Sequence, residues 1–184
     1  MTRYKNPGVI KASDLLHQAN VTILDVWIKT IVFTWRWWLL IALTIVSLAV
    51  WIKWRKKEST ARLLYGGFII LLLTYYMDTI GVALGLWSYP TECFPIIPPY
   101  FSWDFCIIPV MAMFTLQYKP RANPIIKAIG LGIFGAYIIQ PIAVWVGWYH
   151  FRHWKHTYSF ILVVIFYLLG FYFFNGRKWR NSVG

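Results

Sequence analysis

The sequence predicts an all-α fold, a membrane-spanning bundle of five transmembrane helices preceded by an N-terminal interfacial helix. Hydrophobic residues make up 59% of the 184 residues, only 13% are charged, and the mean hydropathy is +0.56. A water-soluble domain devotes about a quarter of its residues to charged side chains. The Lys and Arg residues lie almost entirely between the apolar stretches, which is typical of a chain that crosses a bilayer several times.

Five apolar stretches have the length of about 20 residues that a helix needs to cross a bilayer. We predict one transmembrane domain over residues 35–176 and a basic cytoplasmic tail over 177–184. The five predicted spans are Trp35–Trp54, Leu63–Trp87, Ile96–Tyr118, Ile125–Trp148 and Tyr158–Phe174.

Residues 1–34 form a separate N-terminal segment. Its second half is apolar but carries Asp25 and Lys29 one helical turn apart, a spacing that allows an ion pair. We therefore predict an amphipathic helix over residues 13–33 that lies along the membrane interface, with Ser13 as its N-cap. A sixth full span over residues 21–34 is the alternative.

The basic residues predict the orientation of the spans, because cytoplasmic loops are enriched in Lys and Arg. The first and third connections between spans and the C-terminal tail carry eleven Lys and Arg residues, and the opposite side carries seven. This count favours a cell-membrane protein with its N-terminus outside and its C-terminus in the cytoplasm. A net charge of +12 then indicates contact with anionic lipid headgroups rather than with nucleic acid.

The second predicted span combines small residues with one acidic residue. Gly81 and Gly85 are four residues apart, and Asp78 lies on the same helix face. Small residues let transmembrane helices approach closely. This face is therefore predicted to contact a partner helix or a second copy of the chain.

The fourth span carries Gln140 on a stripe of small residues that begins at Ala128. Helical rise places Gln140 about 12 Å and Asp78 about 13 Å inside the outer boundary. Pro141 cannot donate to the carbonyl of Tyr137, which leaves that oxygen free for another partner. The third span contributes Asp104. The predicted ligand-binding residues are thus Asp78, Asp104, Gln140 and Tyr137.

No basic residue lies in the cores of the later spans to neutralise Asp78, and a charged carboxylate at the membrane centre costs about 3 kcal/mol on insertion scales. A protonated Asp78 that joins helices and an Asp78 that serves a ligand, ion or proton site both remain open. The run of His150, His153 and His156 is interrupted by Arg152 and Lys155, so we predict no metal site and no cofactor.

Short motifs in the second and third spans support a family resemblance. They are Asp78, the run Trp87-Ser88-Tyr89-Pro90, Asp104 followed by Pro109 and Tyr118, and Trp154 before Tyr158-Ser159. Over about residues 60–175 the chain resembles an uncharacterised family of small multi-helix membrane proteins of endospore-forming Gram-positive bacteria, and it is distantly similar to membrane lycopene-cyclase domains. Gln140 stands where that family tends to have an acidic residue, and Val110 and Met111 replace the acidic pair of the cyclases.

The catalytic residues are unknown, and the sequence favours a protein that is not an enzyme. Our first hypothesis is a protein that binds or conducts a small solute, ion or lipid through a polar site in the outer half of the membrane. The second is a membrane enzyme that acts on an isoprenoid or another lipid, with Asp78 or Asp104 as general acid. The third is a structural or accessory subunit.

Overall fold

The computed structural model describes residues 6–95 and 100–176, so the predicted basic tail over 177–184 lies outside the described residues. The fold is all-α, as predicted, apart from one short two-stranded sheet. Four helices are long and apolar enough to cross a membrane, and Ser102–Gln117 is a shorter apolar helix. Several spans are therefore available to a multi-pass membrane protein.

Helix α1 covers Pro7–Val26 and continues as a π-helical turn over Trp27–Ile31. It begins before the predicted cap at Ser13, because the Asn6 side chain accepts hydrogen bonds from the backbone N–H groups of Gly8 and Val9. Proline at the first helical position suits a helix start. The predicted pair of Asp25 and Lys29 is present, with 2.7 Å between Lys29 Nζ and Asp25 Oδ1.

The next two helices are α2, Trp35–Trp54, and α3, Thr60–Ala83, joined by a 3-10 turn over Lys57–Ser59. Helix α3 ends before the predicted boundary at Trp87. Gly85 follows the helix with a φ of +68°, a conformation that glycine adopts at low cost and that turns the chain. Gly85 therefore does not lie on a helix face beside Gly81.

The third apolar segment begins as a π-helix over Ser102–Ile107 and continues as α4, Ile108–Gln117. The fourth is one continuous helix, Pro124–Val146. It consists of α5 over Pro124–Phe134, a π-helical segment over Gly135–Ile139 and α6 over Gln140–Val146. The π-helical segment ends just before Pro141, where the missing N–H would interrupt regular α-helical bonding.

The last helix is α7, His156–Phe174. Strand β1, Trp87–Ser88, pairs antiparallel with strand β2, His150–Phe151. This pairing joins the connection after α3 to the connection before α7. It therefore fixes the aromatic residues of both connections over the same end of the bundle.

Two apolar clusters occupy opposite ends of the helices. The Trp51 cluster draws on the end of α2, the start of α3, α4, the start of α5 and the later part of α7. The Trp148 cluster draws on the start of α2, the end of α6 and the connections that follow α3 and α6. The first consists of Trp51, Leu63, Val110, Met113, Leu116, Ala128, Tyr167 and Phe174. The second consists of Leu40, Cys93, Tyr100, Ala143, Val146 and Trp148.

The predicted small stripe of the fourth span faces the bundle. Ala128 is 0% and Ala136 is 1% exposed, and Gly132 between them is also buried. A Cβ atom at Gly132 would meet the Phe160 ring at 2.9 Å. The absence of a side chain therefore lets α5 and α7 pack closely.

Candidate functional site

Asp78 lies in the last turns of α3 and is 6% exposed. Its Oδ1 accepts hydrogen bonds from Trp87 Nε1 at 2.8 Å and from the Tyr89 hydroxyl. Its Oδ2 accepts from the backbone N–H of Tyr100 at 3.3 Å. Both carboxyl oxygens thus act as acceptors for neutral donors, and the side chain points into protein, as predicted. Asp78 ties α3 to the β1 connection and to the start of the third apolar segment.

Gly81 makes room for this arrangement. A Cβ atom at Gly81 would overlap the Trp87 ring, so the indole packs directly on the helix backbone. The surface of Gly81 that the sequence assigned to a partner helix is covered by Trp87 of the same chain.

Tyr89 and Tyr100 stack with ring centroids 4.2 Å apart. Burial, followed by the charge of Asp78, raises the pKa of Tyr89 well above its ordinary value. Tyr89 therefore keeps its hydroxyl proton at neutral pH and acts as a donor to Asp78. The Tyr100 hydroxyl donates to the carbonyl of Thr91 at 2.7 Å, which anchors the stack to the connection.

Asp104 lies on the π-helical segment before α4 and is 4% exposed. Its carboxyl group lies beside that of Asp78, close enough for the two to interact directly. Among the described residues, Asp104 Oδ2 has no hydrogen-bond partner. A buried polar atom without a partner costs about 1–3 kcal/mol. Asp104, unlike Asp78, therefore has an oxygen whose hydrogen-bonding capacity is unsatisfied.

Gln140 takes part in a second polar group between α6 and α7. Its Nε2 donates to Ser159 Oγ at 2.8 Å, and Trp154 Nε1 donates to the same oxygen at 2.9 Å. Its Oε1 lies 3.3 Å from His156 Nδ1. Ser159 Oγ thus accepts one hydrogen bond from Gln140 and one from Trp154.

Two cavities of about 160 Å³ each meet at these polar groups. The first, which we call the α4–α5 cleft, is partly open and lies between the third apolar segment and the helix Pro124–Val146. The second, the central cavity, extends between α3, α4 and α7. Residues that line both cavities include Tyr89, Asp104, Gln140, Tyr149 and Ser159.

The central cavity has a further polar atom at its deep end. Tyr167 lines it and is 1% exposed, and its hydroxyl has no partner within residues 6–95 and 100–176. Tyr167 lies eight residues beyond Ser159 on α7, about 12 Å along the helix axis. The cavity thus runs from the acidic pair down to the Trp51 cluster, of which Tyr167 is a member.

The structure brings together three of the four predicted site residues. Asp104 and Gln140 line both cavities and Asp78 lines the central cavity. Tyr137, which was predicted for its carbonyl oxygen, is not among the residues that line either cavity. Its ring is 47% exposed and its hydroxyl donates to Thr157 at 3.3 Å, whereas the neighbouring Ala136 is buried.

Several site residues were not predicted from the sequence. Tyr89, Tyr149 and Ser159 line the cavities, and Trp87 and Trp154 hold the polar groups in place. The motifs Trp87-Ser88-Tyr89-Pro90 and Trp154 with Tyr158-Ser159 were recognised in the sequence, but only as support for the family resemblance and not as parts of a site. The strand pairing that joins them could not be inferred from two residues in each strand.

Glu92 extends the acidic surroundings of Asp78 on the connection outside the helices. Burial, with a further contribution from the charge of Asp78, raises the pKa of Glu92 from 4.5 to about 8. The next residue, Cys93, is a buried free thiol whose Sγ lies 2.8 Å from Ser102 Oγ, and Cys106 is also free.

No protein-family model, curated protein or solved structure matches the chain.

Proposed function

We propose that the protein is a five-span membrane protein that binds a small solute or lipid in the α4–α5 cleft, in the outer half of the membrane. The single observation that carries this proposal is Asp104 Oδ2, which has no hydrogen-bond partner among the described residues and belongs to a buried side chain that lines a cleft with mostly apolar walls. Ligand sites commonly combine apolar walls with a few placed polar groups.

The two clusters support a fifth span. The segment that contains α4 begins beside Tyr100 of the Trp148 cluster and reaches Leu116 of the Trp51 cluster. It therefore extends from the one cluster to the other, although it is shorter than its neighbours. The helix Ser102–Gln117 would span about 24 Å at the usual rise, which a bilayer of about 30 Å accommodates by local thinning.

An external N-terminus and a cytoplasmic C-terminus are part of the proposal. The Trp51-cluster end carries the connections rich in Lys and Arg, which favours the cytoplasmic side. The Trp148-cluster end, with Asp78, Glu92 and Asp104 nearer to it, then faces outward. The family resemblance stays a prediction that supplies no activity.

We favour binding over conduction because of how the cavities end. Below Tyr167 the bundle is filled by the Trp51 cluster, in which Leu63, Leu116 and Ala128 are at most 1% exposed. A continuous path for a solute would have to pass through this apolar packing. This apolar packing closes the deep end of the central cavity, which suits a binding site better than a conduction path.

The test is purification of the full chain in a mild detergent, followed by mass spectrometry of co-purifying lipids and small molecules. We expect a specific compound with the wild type and its loss with Ala136→Leu, because Ala136 lines the cleft and is 1% exposed. Gly130→Leu is the matched control, since a Cβ atom at Gly130 meets nothing within 4 Å. Recovery of the same bulk phospholipids from all three proteins would contradict the proposal.

A further inference from the structure

The distribution of the acidic side chains indicates which charge a ligand of the α4–α5 cleft would carry. Three of the six acidic residues of the chain, Asp78, Glu92 and Asp104, lie close enough together for Asp78 to act electrostatically on the other two. In a chain with a net charge of +12, half of the acidic residues are therefore Asp78, the neighbouring Asp104, and Glu92 within electrostatic range of Asp78.

Among the described residues, no Lys or Arg forms an ion pair with Asp78, Glu92 or Asp104. The one ion pair in that part of the chain joins Lys29 to Asp25 on α1. Asp78 is held by an indole N–H, a tyrosine hydroxyl and a backbone N–H, all of them neutral. Arg36, at the same end of the bundle, lies against Gly147 and over the Trp35 ring.

Asp104 provides the second, independent observation. Its side chain is 4% exposed, it lines the cleft, and its Oδ2 has no partner in the part of the chain that the structure describes. Neither Gln140 Nε2 nor Trp154 Nε1 donates to Asp104, since both donate to Ser159. A ligand that brings a hydrogen-bond donor or a positive charge to the cleft would satisfy the unpaired oxygen of Asp104.

The walls of the cleft favour an organic cation over a metal ion. Tyr89, Trp103 and Tyr149 line it, and the rest of the lining is largely aliphatic. Aromatic faces attract ammonium groups, most strongly when water is excluded. A Ca²⁺ ion would need six to eight oxygen ligands, and the described residues contain no cluster of three His, Cys, Asp or Glu that could hold a metal.

We propose that the α4–α5 cleft binds an organic ammonium ion with an apolar substituent, its charge at Asp104 and its apolar part against the helix Pro124–Val146. This inference rests on the proposed function and specifies its ligand class. The cleft volume of about 160 Å³ limits the enclosed part of the ligand to about the size of a benzene ring.

The experiment compares two probes of the same shape. Benzyltrimethylammonium carries the charge, and neopentylbenzene replaces its nitrogen by carbon and is uncharged. Binding of each to the purified full chain in a non-ionic detergent is measured by equilibrium dialysis, with protein-free micelles as the blank. We expect the wild type to bind the cation at least about tenfold more tightly than the uncharged probe.

Two variants then assign the charge to Asp104. Asp104→Asn should lower the affinity for the cation at least about tenfold and leave the affinity for neopentylbenzene unchanged. Asp25→Asn removes an exposed carboxylate on α1 and should change neither. The comparison of the two probes on the wild type needs no variant, so the inference stays falsifiable even if Asp104→Asn does not fold.

The failures are distinguishable. Equal or tighter binding of neopentylbenzene by the wild type would overturn the cationic ligand and leave the cleft as a binding site. Cation binding that survives Asp104→Asn would overturn the role of Asp104. If neither probe bound above the blank, the ligand class would fail, whereas the proposed function is decided separately by the co-purification experiment.

Discussion

At the scale of single residues, the two buried aspartates have different roles. Asp78 accepts three hydrogen bonds from three parts of the chain, which is the pattern of a structural centre. Asp104 has an oxygen without a partner and lines both cavities. The available acceptor of the candidate site is therefore on Asp104, although the sequence drew attention first to Asp78.

Replacing Asp78 with Asn should destabilise the protein by about 1.5–3 kcal/mol, the contribution of hydrogen bonds to a charged group. An Asn side chain keeps one acceptor oxygen, so its amide group would face a donor, either the Tyr100 N–H or the pair on Oδ1. Thermal unfolding in detergent measures the loss. Asp104→Asn is the comparison, and an equal or larger loss from that change would contradict the assignment.

Glu92 makes stability depend on pH. Its pKa is about 8 in the folded protein against 4.5 ordinarily, so the folded state binds the proton more tightly between these values. The contribution of Glu92 to the free energy of unfolding is fully present below pH 4.5. It falls as the pH rises toward about 8, by at most about 1.4 kcal/mol per pH unit. Unfolding temperatures from pH 5 to about 9 should show this fall in the wild type and a shallower one in Glu92→Gln. Identical profiles would show that Glu92 does not titrate in this way.

At the scale of elements, glycines decide how closely the helices approach their neighbours. Gly66 and Gly170 let α3 and α7 touch, since a Cβ atom at Gly66 would lie 3.1 Å from the carbonyl oxygen of Gly170. Gly81 performs a similar role toward Trp87 rather than toward another helix. Small residues were recognisable in the sequence, but the element that fills each gap was not.

Replacing Gly81 with Ala should cost about 1–3 kcal/mol, as overpacking does in well-filled cores. The added methyl group would displace the Trp87 ring and with it the indole hydrogen bond to Asp78. The measurement is again thermal unfolding. Gly130→Ala adds the same group at an open helical position and should be neutral or slightly stabilising. A neutral Gly81→Ala would show that Trp87 does not pack on this glycine.

At the scale of the whole molecule, Asp78, Glu92 and Asp104 lie toward the Trp148-cluster end of the bundle, and the Trp51 cluster fills the opposite end. The proposed orientation places the Trp148-cluster end outside the cell. The spans are surrounded by lipid, so water-soluble reagents reach only the connections between them.

Cysteines introduced one at a time beside the native Cys93 and Cys106 test this orientation in intact cells. With a membrane-impermeant maleimide, Arg152→Cys should be labelled directly and Glu58→Cys only after permeabilisation, because the two exposed positions lie at opposite ends of the bundle. The wild type is the control, since Cys93 and Cys106 are both buried. Direct labelling of Glu58→Cys but not of Arg152→Cys would reverse the orientation, and equal labelling would contradict the spans.

The sequence by itself determined the class of the fold and the course of the apolar helices. Hydrophobic length and charge placement predict spans because each helix satisfies its backbone locally, without reference to its neighbours. Hydrophobic length predicted both ends of the helix Trp35–Trp54 correctly. Helical periodicity correctly predicted that Asp78, Ala128 and Ala136 face the inside of the bundle.

The tertiary structure decided which side chains meet. The end of α3 at Ala83 depends on Gly85 and on strand pairing between residues more than sixty positions apart. Whether Asp78 or Asp104 keeps an available oxygen depends on where Trp87, Tyr89 and Tyr100 place their donors. Helical periodicity gives the direction of a side chain but not its partner, because the partner comes from another part of the chain.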